Sequence, residues 1–471
     1  MGAGCKNNCP TCRCAKTATI IGAGLVGSLW AIYLSKAGYM VSVFERRQDM
    51  RQEKISAGKS INLAISERGW RALDALQIGN EIREMAIPMY GRTLHTTDGH
   101  SGYQPYGIDK QAIYSVSRGA LNSRLMSLAE AHGAHIHFAE ECIGTEPEEG
   151  IARFRNSDTM EESEIKSDVI FACDGAFSAT RYLHLQKLDG FNFSQRYIQQ
   201  GYREILLPAH PDGSPRLQSN TLHIWPRGDF MLIALPNADH SFTCTLFMPR
   251  KDHEYSFENV EDTEMVNAFF RKLFPDFYAI HPAVGEEWKQ HPLSSLAIIR
   301  CFPWSVGKLL LMGDAAHATV PFFGQGMNCG FEDCTVLDEL MKEFGDNWKQ
   351  IFKAFETKRK PDTDAMQELS LRNFTVMSQQ VSNPEYQLIQ RMERRMAELF
   401  PERYFPLYSM VSFTTIPYHI ALAKGEKQEN SLRQLIQTFS LWPDCPDEMI
   451  DHALTTGFDL PMEKEFQHTE S

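Results

Sequence analysis

The 471-residue sequence contains no long uninterrupted apolar segment. No stretch approaches the roughly 20 consecutive apolar residues that a membrane-spanning helix needs. The first residues lack the apolar core of a secretory signal, and residues 461–471 are polar. The sequence therefore predicts a protein without a membrane anchor.

An excess of positive charge is missing as well. Lys and Arg total 47 against 60 Asp and Glu, which gives a formal net charge of -13. A protein with this balance repels the phosphate backbone instead of releasing its counterions. Nucleic acid is therefore not an expected partner.

Regularly spaced cysteine pairs are scarce. The cluster Cys5, Cys9, Cys12 and Cys14 lacks the two paired Cys-x-x-Cys units of common structural zinc sites, and the other cysteines are scattered. We therefore predict no metal, and we interpret residues 1–16 as a flexible N-terminal extension. Scattered thiols without a disulfide framework are typical of reduced proteins, so a cytoplasmic location is expected.

What the sequence does contain is a glycine fingerprint near its start. Residues 17–45 predict a strand, a glycine turn, a helix and a second strand. Gly22 permits a tight turn, Gly24 lets the backbone approach a pyrophosphate, and Gly27 allows close helix packing. Glu45 ends the second strand, where an acid accepts hydrogen bonds from an adenosine ribose. Together they predict a dinucleotide site.

Two later motifs favour FAD over NAD for that site. The apolar strand Lys308–Met312 is followed by Gly313-Asp314, so Asp314 is placed at the carboxyl edge of a sheet, where it can accept from a ribityl hydroxyl. Gly326 would bring bare backbone against a flat ring, and a helix beginning near Met327 would direct its positive end there. For His317 a packing role is favoured over general-base catalysis, because no acid partner lies nearby in sequence.

The spacing of these motifs predicts an α/β protein with a discontinuous cofactor domain. We assign residues 17–75, 107–185 and 296–345 to a Rossmann-like FAD-binding domain. Alternating segments predict an antiparallel β-sheet in a substrate domain of residues 76–106 and 186–295. Residues 346–471 predict a helical C-terminal subdomain, with helices separated at Pro361, Pro384 and Pro401.

In this order, the fingerprint, Asp174-Gly175 and Gly313-Asp314 resemble the single-component FAD-dependent aromatic hydroxylases. Further stretches, among them Ser60 to Arg68, Val320 to Asn328 and Tyr408 to Val411, are similar to the kynurenine 3-monooxygenase family. The resemblance implies bound FAD, NADPH as co-substrate, O2, and hydroxylation of L-kynurenine to 3-hydroxykynurenine. It implies no catalytic side chain, since the flavin hydroperoxide supplies the oxidant. It leaves a homodimer open.

The resemblance also implies site residues. Those expected at the substrate are Arg92, Tyr106, Phe247, Phe322, Asn373 and Tyr408, with Arg92 and the two tyrosines on the carboxylate and the phenylalanines around the ring. Those expected at FAD are Gly22, Gly24, Gly27, Glu45, Arg46, Ala64, Arg118, Asp174, Asp314, Gly326, Met327 and Asn328. The absence of an anchor favours the soluble, bacterial type of this family, although Phe323 stands where the bacterial pattern favours histidine.

Two other functions stay open at this point. One is a related FAD hydroxylase that acts on a phenolic or anthranilate-like aromatic acid. The other is a flavin-containing interaction module, with which charged helices such as Met392–Glu398 are compatible. Turnover of NADPH and O2, and its response to L-kynurenine, separates the three.

Overall fold

The computed structural model describes residues 16–52, 62–106, 111–183, 185–378, 383–401 and 403–457. In these ranges the strands are β1 (Thr17–Ile21), β2 (Met40–Glu45), β3 (Asn62–Ile65), β4 (Ile87–Met89), β5 (Gly91–His95), β6 (Ser101–Pro105), β7 (Ile113–Ser117), β8 (His135–Phe138), β9 (Glu140–Glu146), β10 (Ile151–Asn156), β11 (Glu162–Lys166), β12 (Val169–Ala172), β13 (Asn192–Leu207), β14 (Leu222–Arg227), β15 (Phe230–Pro236), β16 (Phe242–Pro249), β17 (Ser294–Phe302), β18 (Ser305–Val306) and β19 (Leu309–Leu311).

The helices in the same ranges are α1 (Leu25–Lys36), α2 (Glu67–Ala75), α3 (Gly79–Glu84), α4 (Arg118–Ala131), α5 (Ala179–Leu183), α6 (Thr263–Leu273), α7 (Pro275–Ile280), α8 (Val284–Glu287), α9 (Asp314–His317), α10 (Gly326–Phe344), α11 (Trp348–Ser378), α12 (Pro384–Leu399), α13 (Leu407–Phe413), α14 (Tyr418–Thr438) and α15 (Asp447–Gly457). Among them, none combines the length and the apolar character that crossing a bilayer demands.

The cofactor domain is built on a six-stranded sheet with the order β18-β19-β12-β1-β2-β8. The strands β8, β2, β1, β12 and β19 are parallel, whereas β18 is antiparallel. Parallel strands are covered on both faces, and β12 and β19 are accordingly apolar and buried throughout. Because strands from the start, middle and late parts of the chain share this sheet, the prediction of a discontinuous domain is confirmed.

A second, seven-stranded sheet has the order β17-β13-β16-β15-β14-β5-β6 and is antiparallel except between β14 and β5. Alternate residues of its central strands pack against helix α6, as Trp225 and Leu246 do with Phe269 and Phe270 in one core cluster. Their neighbours therefore point to the opposite face of the sheet. The predicted antiparallel sheet of the substrate domain is confirmed.

The boundary between these two domains was predicted at residue 76. However, Leu76 and Ala86 lie in the core cluster of the six-stranded sheet, together with Ile82 of α3. Strand β4 pairs with β7, and the seven-stranded sheet begins only at β5. We therefore propose a boundary near residue 90.

The C-terminal region is helical, as predicted, but the expected break at Pro361 is wrong. Helix α11 runs through Pro361 without interruption, although proline cannot donate the backbone hydrogen bond of a helix interior. Buried side chains on both sides of the proline hold the helix. Arg359 Nε donates to Asp333 Oδ1 at 2.8 Å, and Asp362 Oδ1 lies 2.6 Å from His419 Nδ1. The predicted separation at Pro384 is confirmed, since α12 begins there.

Candidate active site

A cavity of about 550 Å³ lies where the six-stranded sheet, the seven-stranded sheet and the C-terminal helices meet. The carboxyl ends of the parallel strands β1, β2 and β12 open into it, which is where open α/β sheets bind ligands. Its lining combines the N-terminal glycine turn, the Asp314 turn and side chains of β14, β15 and β16. One continuous space therefore joins the predicted cofactor and substrate residues.

The glycine turn between β1 and α1 forms the first wall of this cavity. A Cβ atom at Gly22 would lie 2.6 Å from the carbonyl oxygen of Cys173, and φ at Gly22 is +102°. A Cβ at Gly27 would lie 2.0 Å from the Gly22 oxygen, so this glycine permits close packing of α1. At Gly24, in contrast, a Cβ would meet no protein atom within 4 Å. The backbone at Gly24 is therefore open to a ligand.

Gly24 is also the N-cap of α1, and no side chain caps this helix. Its first amide groups have no intrahelical acceptor, and the helix dipole places positive charge at this end. Such an end attracts phosphate groups. Glu45 closes the neighbouring strand, is 9% exposed, and accepts from the Ala23 amide at 3.0 Å. These features fit the pyrophosphate and the ribose of a dinucleotide.

Two aspartates stand at the ends of the other parallel strands. Asp174 follows β12, and its Oδ2 accepts from the Thr180 amide and hydroxyl, each at 3.0 Å. Its Oδ1 is buried and has no hydrogen-bond partner among the described residues. Asp314 follows β19 and is exposed to the cavity although Gly313 and Ala315 are buried. Each carboxylate retains an oxygen that can accept from ligand hydroxyl groups.

The N-terminus of α10 forms another wall of the cavity. Its N-cap, Gln325, makes no side-chain cap, and Gly326 and Met327 line the cavity. Asn328 does not line it, because this side chain is fully buried. Its Nδ2 donates to the carbonyls of Ala64 and Gly324 at 2.8 and 2.9 Å. Asn328 therefore supports two cavity segments from behind instead of touching the ligand space.

His317 has an acid partner that sequence proximity did not reveal. Its Nε2 lies 2.8 Å from Asp333 Oδ2 on α10, and the same oxygen accepts from the Gly313 amide at 3.1 Å. Burial alone would raise the pKa of Asp333, but the charges of His317 and Arg359 together lower it below its ordinary value. The arrangement fixes the Gly313-Asp314 turn, which agrees with the predicted packing role for His317.

At the other end of the cavity lies Arg92, on β5. Its Nε donates to Gln104 Oε1 at 2.9 Å, and among the described residues it makes no ion pair. A partly buried guanidinium that no carboxylate of the described residues pairs with in direct contact is suited to a ligand carboxylate, which it can bind with two parallel hydrogen bonds. The cavity therefore has an anion-binding group at the end that does not hold the glycine turn.

Two tyrosines from distant parts of the chain meet beside Arg92. The rings of Tyr106 and Tyr408 stack with centroids 5.1 Å apart, and Phe323 stacks on Tyr408 at 5.6 Å. The Tyr106 hydroxyl is buried and has no hydrogen-bond partner among the described residues. Burial raises the pKa of both tyrosines above the ordinary value, so both are protonated hydrogen-bond donors at neutral pH.

Between the two ends, the walls are apolar. Phe247 and Phe322 pack edge to face with centroids 5.0 Å apart, inside a cluster that includes Met231 and Ile224. Asn373 Nδ2 donates to the Phe322 carbonyl at 2.6 Å, which ties helix α11 to this wall. Such a compartment orients a flat ring and excludes water.

All six predicted substrate residues line the cavity, and so do all predicted cofactor residues except Gly27 and Asn328. Six further residues line the cavity that were not predicted, namely Leu222, Ile224, Met231, Ile233, Leu235 and Thr245. They occupy alternate positions of β14, β15 and β16, so strand periodicity could have identified them. Tyr202, Met377 and Thr319 also line the cavity, and they carried no such signal.

Cysteine side chains also contribute to the cavity wall. The seven cysteines in the described ranges are free and buried, and two of them, Cys142 and Cys173, line the cavity. Those ranges contain no group of His, Cys, Asp and Glu that could hold a metal ion. The N-terminal cysteine cluster lies outside the described residues.

Comparison with known proteins agrees with this geometry. The family described as "FAD binding domain" matches residues 15–370. Kynurenine 3-monooxygenase of Flavobacterium psychrophilum is 44% identical over 436 residues, which cover 92% of this chain and 97% of that protein. Kynurenine 3-monooxygenase of Sus scrofa is 39% identical over 426 residues, covering 89% and 88%.

Among solved structures, the tetrameric form of 2-methyl-3-hydroxypyridine-5-carboxylic acid oxygenase matches with a TM-score of 0.65 and 20% identity, covering 79% of this chain and 95% of that one. PqsL of P. aeruginosa in complex with 2-aminobenzoylacetate matches with a TM-score of 0.64 and 16% identity, covering 77% and 97%. These two matches show the fold alone. The match to the FAD-binding domain model and the identity and coverage of the relatives establish that this chain belongs to the kynurenine 3-monooxygenase family of FAD-binding proteins.

Proposed function

We propose that this protein uses NADPH and O2 to hydroxylate L-kynurenine to 3-hydroxykynurenine, a step of tryptophan catabolism that also supplies precursors for pyridine nucleotide synthesis. The observation that carries the proposal is that Arg92 and Asp314 line the same cavity. An amino acid with an aromatic ring can place its carboxylate at Arg92 and its ring against the cofactor side of the cavity. The names of the relatives support this substrate.

The residues at the glycine turn and at the two aspartates fit FAD. Helix α1 would offer its uncapped amides to the pyrophosphate, and Glu45, which lines the cavity, would accept from the ribose. Asp314 would accept from the ribityl chain, and Gly326 and Met327 at the start of α10 would face the isoalloxazine ring. When bound, FAD supplies the redox chemistry, since it accepts a hydride from NADPH and activates O2 for transfer to an aromatic ring.

The proposed substrate residues would bind and orient L-kynurenine. Arg92 would bind the carboxylate with two charge-assisted hydrogen bonds, and the protonated hydroxyls of Tyr106 and Tyr408 would donate to the same group. Asn373 uses its amide nitrogen on the Phe322 carbonyl, so its Oδ1 is left to accept from the substrate ammonium. This division of donors and acceptors selects a zwitterionic amino acid over a simple aromatic acid.

The apolar wall places the ring and keeps water out. Phe247 and Phe322, which contact each other edge to face, would border the substrate ring, and the aliphatic residues of β14 and β15 complete the enclosure. The amino group of kynurenine already activates the neighbouring ring carbon, so no side chain is required as a base. The contribution of the protein is orientation and exclusion of water.

The decisive experiment is oxidation of NADPH by the FAD-loaded protein, with and without substrate. We expect L-kynurenine to accelerate NADPH oxidation and to yield 3-hydroxykynurenine, identified by mass spectrometry. A protein that responds to 4-hydroxybenzoate but not to L-kynurenine would contradict the proposed substrate. A protein that binds FAD but oxidises no NADPH with either compound would contradict the enzymatic function.

The remaining partners and the location are part of the same proposal. The excess of acidic residues supports small-molecule partners and no nucleic acid. The free, buried thiols of the described residues support a reducing compartment, which we take to be the cytoplasm. Light scattering of the purified protein distinguishes a monomer from the homodimer that the sequence left open.

A further inference from the structure

A buried arginine lies between the cofactor domain and the C-terminal helices. Arg68, on α2, has a side-chain exposure of 0%, and its Nε lies 3.0 Å from Glu332 Oε1. Its two terminal nitrogens donate to the carbonyl oxygens of Val411 and Ile416. Its guanidinium carbon is 3.9 Å from the ring centroid of Tyr418. Every donor direction of this side chain therefore reaches α10 or the region of α13 and α14.

One of the two carbonyls lies in a short helix, and the other follows that helix closely in the chain. Helix α13 comprises seven residues, Leu407–Phe413, and Ile416 follows it. The last carbonyls of a helix have no intrahelical donor, and a cation is favoured at this end. Thr414 Oγ1 donates to the Met410 carbonyl at 2.5 Å, and Arg68 donates to the carbonyl of the next residue, Val411. A helix of two turns depends on such contacts for its position.

Helix α13 carries Tyr408, which, like Asn373 of α11, is a proposed substrate residue from the C-terminal region. Tyr408 lies one turn before Val411, on the same short helix. Its ring stacks between Tyr106 and Phe323, and it lines the cavity. A displacement of α13 would therefore move the Tyr408 hydroxyl relative to the bound carboxylate.

We propose that Arg68 is a positioning residue for the substrate site, which fixes α13 and thereby Tyr408 against the cofactor domain. This inference rests on the proposed function, because it assigns Tyr408 to the carboxylate of L-kynurenine. Arg68 does not line the cavity, so its effect on the substrate would pass through α13. A misplacement on the order of 1 Å costs up to about 100-fold in a binding or catalytic constant.

The surrounding charges make this idea testable without leaving an isolated ion behind. Glu332, the acidic partner of Arg68, also pairs with Arg359 at 2.6 Å. In the variant Arg68→Met, Glu332 keeps Arg359 as its partner, whereas the carbonyls of Val411 and Ile416 lose their donor and Tyr418 loses the guanidinium over its ring. In Arg68→Lys, a single ammonium can keep the charge beside Glu332 but cannot bridge both carbonyls, because lysine lacks the fork of donors.

The test is a double-mutant cycle on the dissociation constant of L-kynurenine, measured from the absorbance change of the bound flavin without NADPH. We expect Arg68→Met to weaken binding about 10-fold in the natural protein, but less than about 3-fold in a Tyr408→Phe background. Arg68→Lys should restore part of the affinity. The dissociation constant of FAD should change less than about twofold, because the cofactor residues are not contacted by Arg68.

Arg71 provides a matched control on the same helix. It is 51% exposed and pairs with Glu339 at 2.9 Å, so Arg71→Met should leave L-kynurenine binding unchanged. If Arg68→Met weakens L-kynurenine binding by the same factor with and without the Tyr408 hydroxyl, or does not weaken it, the inference is wrong. If Arg68→Met does not fold, the cycle with Arg68→Lys is judged by the same criterion. A natural protein that binds FAD but no L-kynurenine would overturn the proposed function and this inference together.

Discussion

The strongest test of the site is the replacement of Arg92 by glutamine. Arg92 is partly buried and has no ion pair among the described residues, so a bound carboxylate would supply its counter-charge. Glutamine keeps a polar group beside Gln104 while removing the charge and the paired donors. Gln104, the hydrogen-bond partner of Arg92 among the described residues, lies on β6 and does not line the cavity.

The expected loss follows from the hydrogen bonds that would be removed. A hydrogen bond to a charged group contributes about 1.5 to 3 kcal/mol, and two on one carboxylate are not additive. We therefore expect Arg92→Gln to cost about 3 kcal/mol, which weakens L-kynurenine binding by about 100-fold. Arg92→Lys should lose less affinity for L-kynurenine, because lysine keeps the charge and lacks only the bidentate geometry.

The measurement is an equilibrium titration of the FAD-loaded variants, followed by flavin absorbance. 2-Aminoacetophenone, which has the aromatic ring of the substrate but no amino-acid end, is the matched ligand. Its affinity should be the same in the natural protein and in Arg92→Gln. Equal weakening of both ligands would refute the carboxylate assignment, and loss of FAD from the variant would show that Arg92 serves the fold or the cofactor.

Four further variants test the cofactor end and the buried charges. Gly24→Val should fold normally but bind FAD at least about 10-fold more weakly by flavin fluorescence, because the new side chain enters ligand space. Gly27→Val should instead lower the melting temperature, because its side chain collides with Gly22. Equal effects of the two variants on folding would contradict this distinction. Asp333→Asn should lower the free energy of unfolding by about 3 kcal/mol in urea, because it breaks a buried ion pair. The lowered pKa of Asp333 means that this stabilisation is present above pH 4 and is lost in stronger acid. If Asp333→Asn is as stable as the natural protein at pH 7, the stabilising role of the Asp333 ion pair is contradicted. Burial raises the pKa of Glu393 to about 7, so its folded form holds a proton that the unfolded chain releases, and stability should fall as pH rises from 5 to 7. Glu393→Gln should remove that decline, on the order of 2 kcal/mol, and an unchanged pH profile would contradict it.

The local parts of the proposed cofactor site were predictable because each depends on a few consecutive residues. Gly22 and Gly24 are required by a tight turn and a close approach, and Glu45 closes the next strand, so all three could be recognised without knowing the rest of the fold. The same holds for Asp314, since an acid at the end of an apolar strand marks the carboxyl edge of a sheet. The substrate residues came instead from resemblance, because no local rule places Arg92 near Tyr408.

The sequence alone determined the discontinuous α/β cofactor domain and the antiparallel sheet, because hydrophobic periodicity and glycine positions act over a few residues. Tertiary structure decided what depends on contacts between distant segments. Helix α11 continues through Pro361 because Arg359 and Asp362 are bound by side chains of α10 and α14. His317 finds Asp333 on another helix, and Arg68 reaches the end of α13. Such pairings form when packing buries charged groups together, since a buried charge requires a partner that local sequence does not specify.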